Sequence, residues 1–263
     1  MKKKSILISA GAALALSGAQ FYLLGAKGGV GPMGFLRDRK LASLPGNGEV
    51  YSFDRISPLE NSPLAEKKIC VLGSSVAYGA ASGGWAVPEY MSHRFSCSVT
   101  KEAVSGTTLC DLRPNSYVSR MKKLDRNERY ALFLCQLSTN DATWRRPLGE
   151  IGCLDCFTVT GAIEFIIRYA SETWGCPVVF FTGSRYDSKA YEAMVKRLLE
   201  LKELYGIGVL DLWSKDGFNA ISATERKLYM ADPIHPTRAG YRDWWGPEME
   251  KQLCLVLEKR REL

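Results

Sequence analysis

Lys68-Ile69-Cys70-Val71-Leu72-Gly73-Ser74-Ser75 is a short apolar run that stops at a glycine and two serines. Four consecutive apolar residues ending at a turn read as a buried strand, with a helix free to start after the serines. The same alternation continues downstream. Trp85 to Phe95 has helical character, Ser98 to Val104 alternates as a strand, and Tyr130 to Leu137 is a run expected to be buried on both faces. Thr160 to Trp174 carries apolar residues at Ala162, Ile163, Ile166, Ile167 and Ala170, which is helical spacing. Pro177 to Thr182 reads as the fourth strand, Lys189 to Tyr205 as a helix, Gly208 to Leu212 as the fifth strand and Pro247 to Glu258 as the last helix. Five short strands alternating with helices predict an α/β fold with a five-stranded parallel sheet covered on both faces.

Ligands of such sheets bind at the carboxyl ends of the strands. Four groups of residues fall there: Ser75 after the first strand, Gly106 after the second, Asn140 after the third, and Asp232-Pro233-Ile234-His235-Pro236 before the last helix. The chain has only two histidines, so imidazole chemistry near neutral pH rests on His235 or His93. Pro233 and Pro236 exclude regular helix and stiffen the loop that holds Asp232 three residues from His235. His93, in Met91-Ser92-His93-Arg94, reads as a surface or partly packed side chain. Each group alone has a plainer reading: a serine helix cap, a turn glycine, a capping asparagine. Together, their type, order and strand-end placement agree.

In those residues the chain resembles the SGNH hydrolases, the GDSL lipase/esterase family. G-D-S is matched by Gly73-Ser74-Ser75, followed by Val76-Ala77-Tyr78-Gly79. The family's glycine after the second strand is matched by Gly106, G-x-N-D by Ser138-Thr139-Asn140-Asp141, and D-x-x-H by Asp232-Pro233-Ile234-His235. Ser74 and Ser138 depart from the pattern, but neither position supplies the nucleophile or the imidazole. The resemblance covers roughly residues 68–257 and implies a flavodoxin-like three-layer α/β/α sandwich. It implies that Ser75 attacks an ester carbonyl, that His235 is its base, and that Asp232 orients the imidazole. The oxyanion hole it implies comprises the Ser75 and Gly106 amides and the Asn140 side chain. No metal or cofactor is called for. G-x-S-x-G is absent at Ser75, which disfavours an α/β-hydrolase. The expected activity is removal of a small acyl group, acetyl for example, from a carbohydrate or cell-envelope polymer. A lipase or lysophospholipase on the same site, and a non-catalytic binding protein of the same fold, are the alternatives.

Composition narrows the partners. The net charge is +7, but seven of the 35 basic residues and only one acidic residue lie in residues 1–40. The remaining body is near neutral, which argues against nucleic acid. Lys2, Lys3 and Lys4 precede an apolar run from Ile6 to Leu16, and Ser17-Gly18-Ala19 offers a small-residue cleavage site. Residues 1–26 are therefore expected to be a signal peptide or, with membrane attachment through residues 5–25, an anchor, giving an extracytoplasmic protein. Residues 27–66, rich in Gly, Pro and Ser, read as a linker or irregular wrap, and residues 67–263 as the hydrolase-like domain. Among eight cysteines only Cys153 and Cys156 form a C-x-x-C pair, and no second pair or histidine is spaced to complete a zinc site. Trp85, Trp144, Trp244 and Trp245 suit either a sugar groove or the core. Arg145-Arg146 reads as solvated surface rather than a contact to an anionic substrate.

Overall fold

The computed structural model describes residues 34–260, so the expected signal or anchor segment lies outside the described residues. Five parallel strands make one sheet: β1 (Lys68–Gly73), β2 (Ser98–Ala103), β3 (Leu132–Gln136), β4 (Val178–Phe181) and β5 (Gly208–Leu210). Their order is β2-β1-β3-β4-β5, with Val71 opposite Lys101 of β2 and Leu134 of β3. The order reverses between β1 and β3, which opens a crevice at their carboxyl ends.

Alternation along each strand fills two cores. Cys70, Leu72, Phe133, Cys135 and Phe180 face one, while Ile69, Val71, Leu134, Val179 and Phe181 face the other. The first core is closed by α6 (Val159–Trp174) and α7 (Lys189–Tyr205), through Ile163, Ile166, Met194 and Leu198. Here α1 (Gly34–Ala42), α2 (Ser75–Tyr78), α3 (Val87–Phe95), α4 (Tyr117–Met121) and α5 (Thr139–Thr143) precede them. The second core is closed by α3 and by α10 (Gly246–Lys259), which follows α8 (Asp216–Asn219), α9 (Ala223–Tyr229) and a π-helical turn over Gly240–Trp245. Each fully buried aliphatic side chain contributes roughly 1.5–3 kcal/mol, so apolar residues on both sheet faces specify a three-layer α/β/α arrangement.

Thr158 and Ser188 cap α6 and α7 by accepting from Gly161 N–H and Tyr191 N–H, so these two starts are set by local chemistry. The α7 bounds coincide with the sequence reading, while α3 starts two residues later than expected. Trp245 is fully buried and Trp244 nearly so, and both belong to the second core rather than to a groove.

The segment before β1 is tied to the domain. Phe53 and Leu64 are buried in the second core. Asn47 donates to Leu41 O (2.7 Å) and Ala81 O (2.8 Å) and accepts from Arg238 N–H (2.8 Å). Gly46 passes so close to the chain beyond that a Cβ there would sit 2.0 Å from Leu228 O and 2.4 Å from Thr237 Oγ1. Among the described residues no helix is long and apolar enough to cross a membrane.

Candidate active site

Ser75 opens α2 directly after β1, with its residue 8% exposed. The loop from Met230 to Pro236 brings His235 against it from 160 residues away: Ser75 Oγ and His235 Nε2 are 2.8 Å apart. On the other side of the ring, His235 Nδ1 lies 2.8 Å and 3.0 Å from the two Asp232 oxygens. A carboxylate accepts only, so Nδ1 carries the proton and donates to Asp232, which leaves Nε2 to accept the serine hydroxyl. Asp232 Oδ1 also accepts from the Ile234 and His235 amides, at 2.8 Å each, so the loop backbone folds round its own acid. Burial works to raise the Asp232 pKa. The His235 imidazole and the two amides outweigh it and hold the carboxyl below its ordinary value.

The Ser75 turn has a support that sequence reading missed. Gln136 ends β3, within a run read as apolar, and is 2% exposed. Its Oε1 accepts from Ser74 N–H (2.9 Å) and Ala77 N–H (3.0 Å), and its Nε2 donates to Ser74 Oγ (3.1 Å). Ser74 thus makes no cap to α2 with its own side chain; a carboxamide from the neighbouring strand takes an orphan N–H of that helix instead. The signal was one polar residue in an otherwise apolar strand. Arg120, 6% exposed, ties the neighbouring strand ends together, donating to Gly73 O (2.8 Å), Glu102 O (2.7 Å) and Thr107 Oγ1 (3.1 Å).

Gly106 sits on an exposed turn at φ +78°, a left-handed conformation that glycine adopts without steric cost. Among the described residues no protein acceptor takes the Ser75 or the Gly106 amide N–H. Ser138, where the family pattern has glycine, caps α5 by accepting from Asp141 N–H. Asn140 Nδ2 donates to Thr107 O (2.8 Å), which fixes the carboxamide beside the Gly106 loop and leaves its second N–H for another acceptor. Fully buried Asp141 accepts from the Leu109 and Cys110 amides at 2.8 and 3.2 Å, anchoring the rest of that loop. The arrangement brings Ser75, His235, Asp232, Gly106 and Asn140 to one end of the sheet. Among the described residues no acidic, histidine or cysteine group is arranged to hold a metal ion. Burial pushes the thiols of Cys97 and Cys176 up to about 11, so they behave as core hydrophobes. His93 packs beside Trp85, ring centroids 6.0 Å apart.

Residues 71–242 match the GDSL-like lipase/acylhydrolase family. The chain belongs to that family. Its α/β fold is the SGNH/GDSL hydrolase fold, and the family supports a hydrolase. No match was found among curated proteins. Solved structures share the fold at low identity. A protein from Lactobacillus plantarum superposes with a TM-score of 0.60 at 19% identity, over 72% of this chain and 97% of its own. A GDSL-like lipase from Bacteroides ovatus gives 0.53 at 16% identity, over 74% and 99%. A family two carbohydrate esterase from Clostridium thermocellum, solved with cellohexaose, gives 0.52 at 14% identity, over 78% and 66%.

Proposed function

We propose that this GDSL-family hydrolase is an exported or membrane-anchored serine esterase that removes a small acyl group, acetyl for example, from a carbohydrate or cell-envelope polymer. The observation that carries the reading is the unbroken chain from Ser75 Oγ through His235 to Asp232. Ser75 Oγ attacks the ester carbonyl while His235 Nε2 takes its proton, and Asp232 stabilises the imidazolium. The carbonyl oxygen, now an oxyanion, is met by the Ser75 and Gly106 amides and the second Asn140 N–H. Collapse breaks the bond to the alcohol, which leaves with the proton from His235. Water, deprotonated by the same imidazole, then hydrolyses the acyl-serine and returns Ser75 its hydrogen. The likeness in fold to a carbohydrate esterase solved with a sugar oligomer supports a glycan substrate.

Labelling with a fluorophosphonate probe tests the nucleophile. The native chain is expected to label and Ser75→Ala not to. A folded native chain that stays unlabelled overturns the reading. A panel of acetyl, butyryl and longer acyl esters then measures the acyl preference, expected to fall steeply beyond short chains.

A further inference from the structure

Arg145-Arg146, expected as plain surface, occupies an unusual setting. Asn140 and Trp144 stand four residues apart at the two ends of α5, with Trp144 N–H donating to Asn140 O at 2.9 Å. That spacing puts them on the same face, about 6 Å apart along the axis. Trp144 is 38% exposed. Two guanidinium groups share its ring, Arg113 at 4.8 Å and Arg146 at 5.2 Å from the centroid. Arg113 comes from the Gly106 loop, the same loop that Asp141 anchors through Leu109 and Cys110. Arg145, between Trp144 and Arg146 in the chain, has φ +49°, a left-handed conformation that costs a non-glycine residue on the order of 1 kcal/mol and tends to be kept at functional sites.

These cations lack counter-charges. Nearby Arg120 pairs with Glu102 and Lys122 with Asp111, but no carboxylate lies within ion-pair distance of Arg113, Arg145 or Arg146 among the described residues. The Arg146 Nε is shielded from solvent and has no hydrogen-bond partner. Asp141, four residues before Arg145, accepts from two backbone amides instead, and Asp111, two residues before Arg113, is taken by Ser116, Ser119 and Lys122. Holding like charges round one ring costs energy that an anion would relieve, and planar guanidinium forks match the oxygen pairs of carboxylate and phosphate groups.

We propose that Arg113, Trp144, Arg145 and Arg146 form a subsite for an anionic substituent, carboxylate or phosphate, on the residue of the polymer next to the one whose ester meets Ser75. This rests on the esterase reading and adds to it a charged substrate class. The one-turn offset from Asn140 places the anion beside the reacting carbonyl without touching it, so it selects the substrate rather than taking part in the chemistry.

The test compares kcat/KM for acetylated oligogalacturonate, an acetylated glycerol phosphate oligomer and neutral acetylated cello-oligosaccharide. The variants are Arg113→Gln/Arg145→Gln, both exposed positions, with Arg168→Gln on α6 as a charge control. The native chain and the control are expected to favour at least one anionic ester by tenfold or more. The double variant, or 0.5 M NaCl, is expected to bring the ratio to within about twofold of unity. Which anionic ester is favoured separates carboxylate from phosphate. Equal rates on all three esters in the native chain, or an unchanged ratio in the double variant, overturn the subsite. If none of the three esters is hydrolysed, fluorophosphonate labelling decides the esterase reading, and calorimetry with unacetylated oligogalacturonate, glycerol phosphate oligomer and cellohexaose decides the subsite alone. Binding of an anionic oligomer that the double variant loses upholds it, and no binding overturns it.

Discussion

Replacing Gln136 by methionine keeps the length of the side chain and removes its polar atoms. Ser74 and Ala77 then lose the acceptor that, among the described residues, their amides have in Gln136 Oε1. The position is 2% exposed, so water does not readily replace it. An orphaned buried donor costs about 1–3 kcal/mol, and two of them give an expected loss of about 2–6 kcal/mol. The strain falls on the turn that aims Ser75, where a displacement near 1 Å costs on the order of 10²-fold in rate. Urea unfolding reads the first quantity, and the rate of fluorophosphonate labelling of the still-folded variant reads the second. A stability loss below about 1 kcal/mol with native labelling would refute the role given to this carboxamide.

Three further perturbations follow from the same geometry. Under the proposed mechanism Asn140→Ala removes one oxyanion donor and is expected to lower kcat by about 10²–10³-fold with little change in KM, measured on a short acyl ester. Asp232→Asn keeps an oxygen on the Ile234 and His235 amides and turns its NH2 toward His235 Nδ1, which must then accept, so the ring proton moves to Nε2 and kcat is expected to fall by as much as about 10⁴-fold. Because the Asp232 pKa is depressed in the folded chain, its stabilising contribution is present above the unfolded carboxyl value, about 3.9, and is lost as pH falls through the lower folded value. Urea midpoints between pH 5 and pH 2 should therefore fall further in the native chain than in Asp232→Asn, and any loss of activity above pH 4 should not come from Asp232. Asn47→Ala orphans the Arg238 amide and frees the Ala81 carbonyl, costing about 1–3 kcal/mol by urea unfolding.

The parallel sheet was legible because four of its strands are short apolar runs bounded by turn residues, and the edge strand β2 shows the alternation of a strand that is only partly covered. Ser75, Gly106, Asn140, Asp232 and His235 stood out because they sit at strand ends in order; the structure joins Ser75, His235 and Asp232 by hydrogen bonds and ties Asn140 to Thr107 beside Gly106. The supports were not legible. Gln136 looks like one polar interruption in β3, and Arg120 like one more charge on a helix. Their partners, backbone groups and hydroxyls among them, lie in other segments, which no local pattern reveals. Asn47 was hidden for a different reason. It lies in a Gly- and Pro-containing stretch without periodicity, and its value comes from loops some 34 and 191 residues away. Arg146 was misread because a doubled arginine after a short helix is normally solvated, and only the fold shows its Nε covered.

The 160-residue interval between Ser75 and His235 has a consequence for how the chain becomes active. Nearly the whole sheet must be synthesised and paired before the imidazole reaches the hydroxyl, so no N-terminal fragment holds the complete reaction centre. Contacts this distant in sequence are closed late, after the entropy of a long loop has been overcome. Catalytic competence therefore reports completed folding rather than partial folding. In a refolding experiment, ester cleavage should recover no earlier than the slowest structural phase.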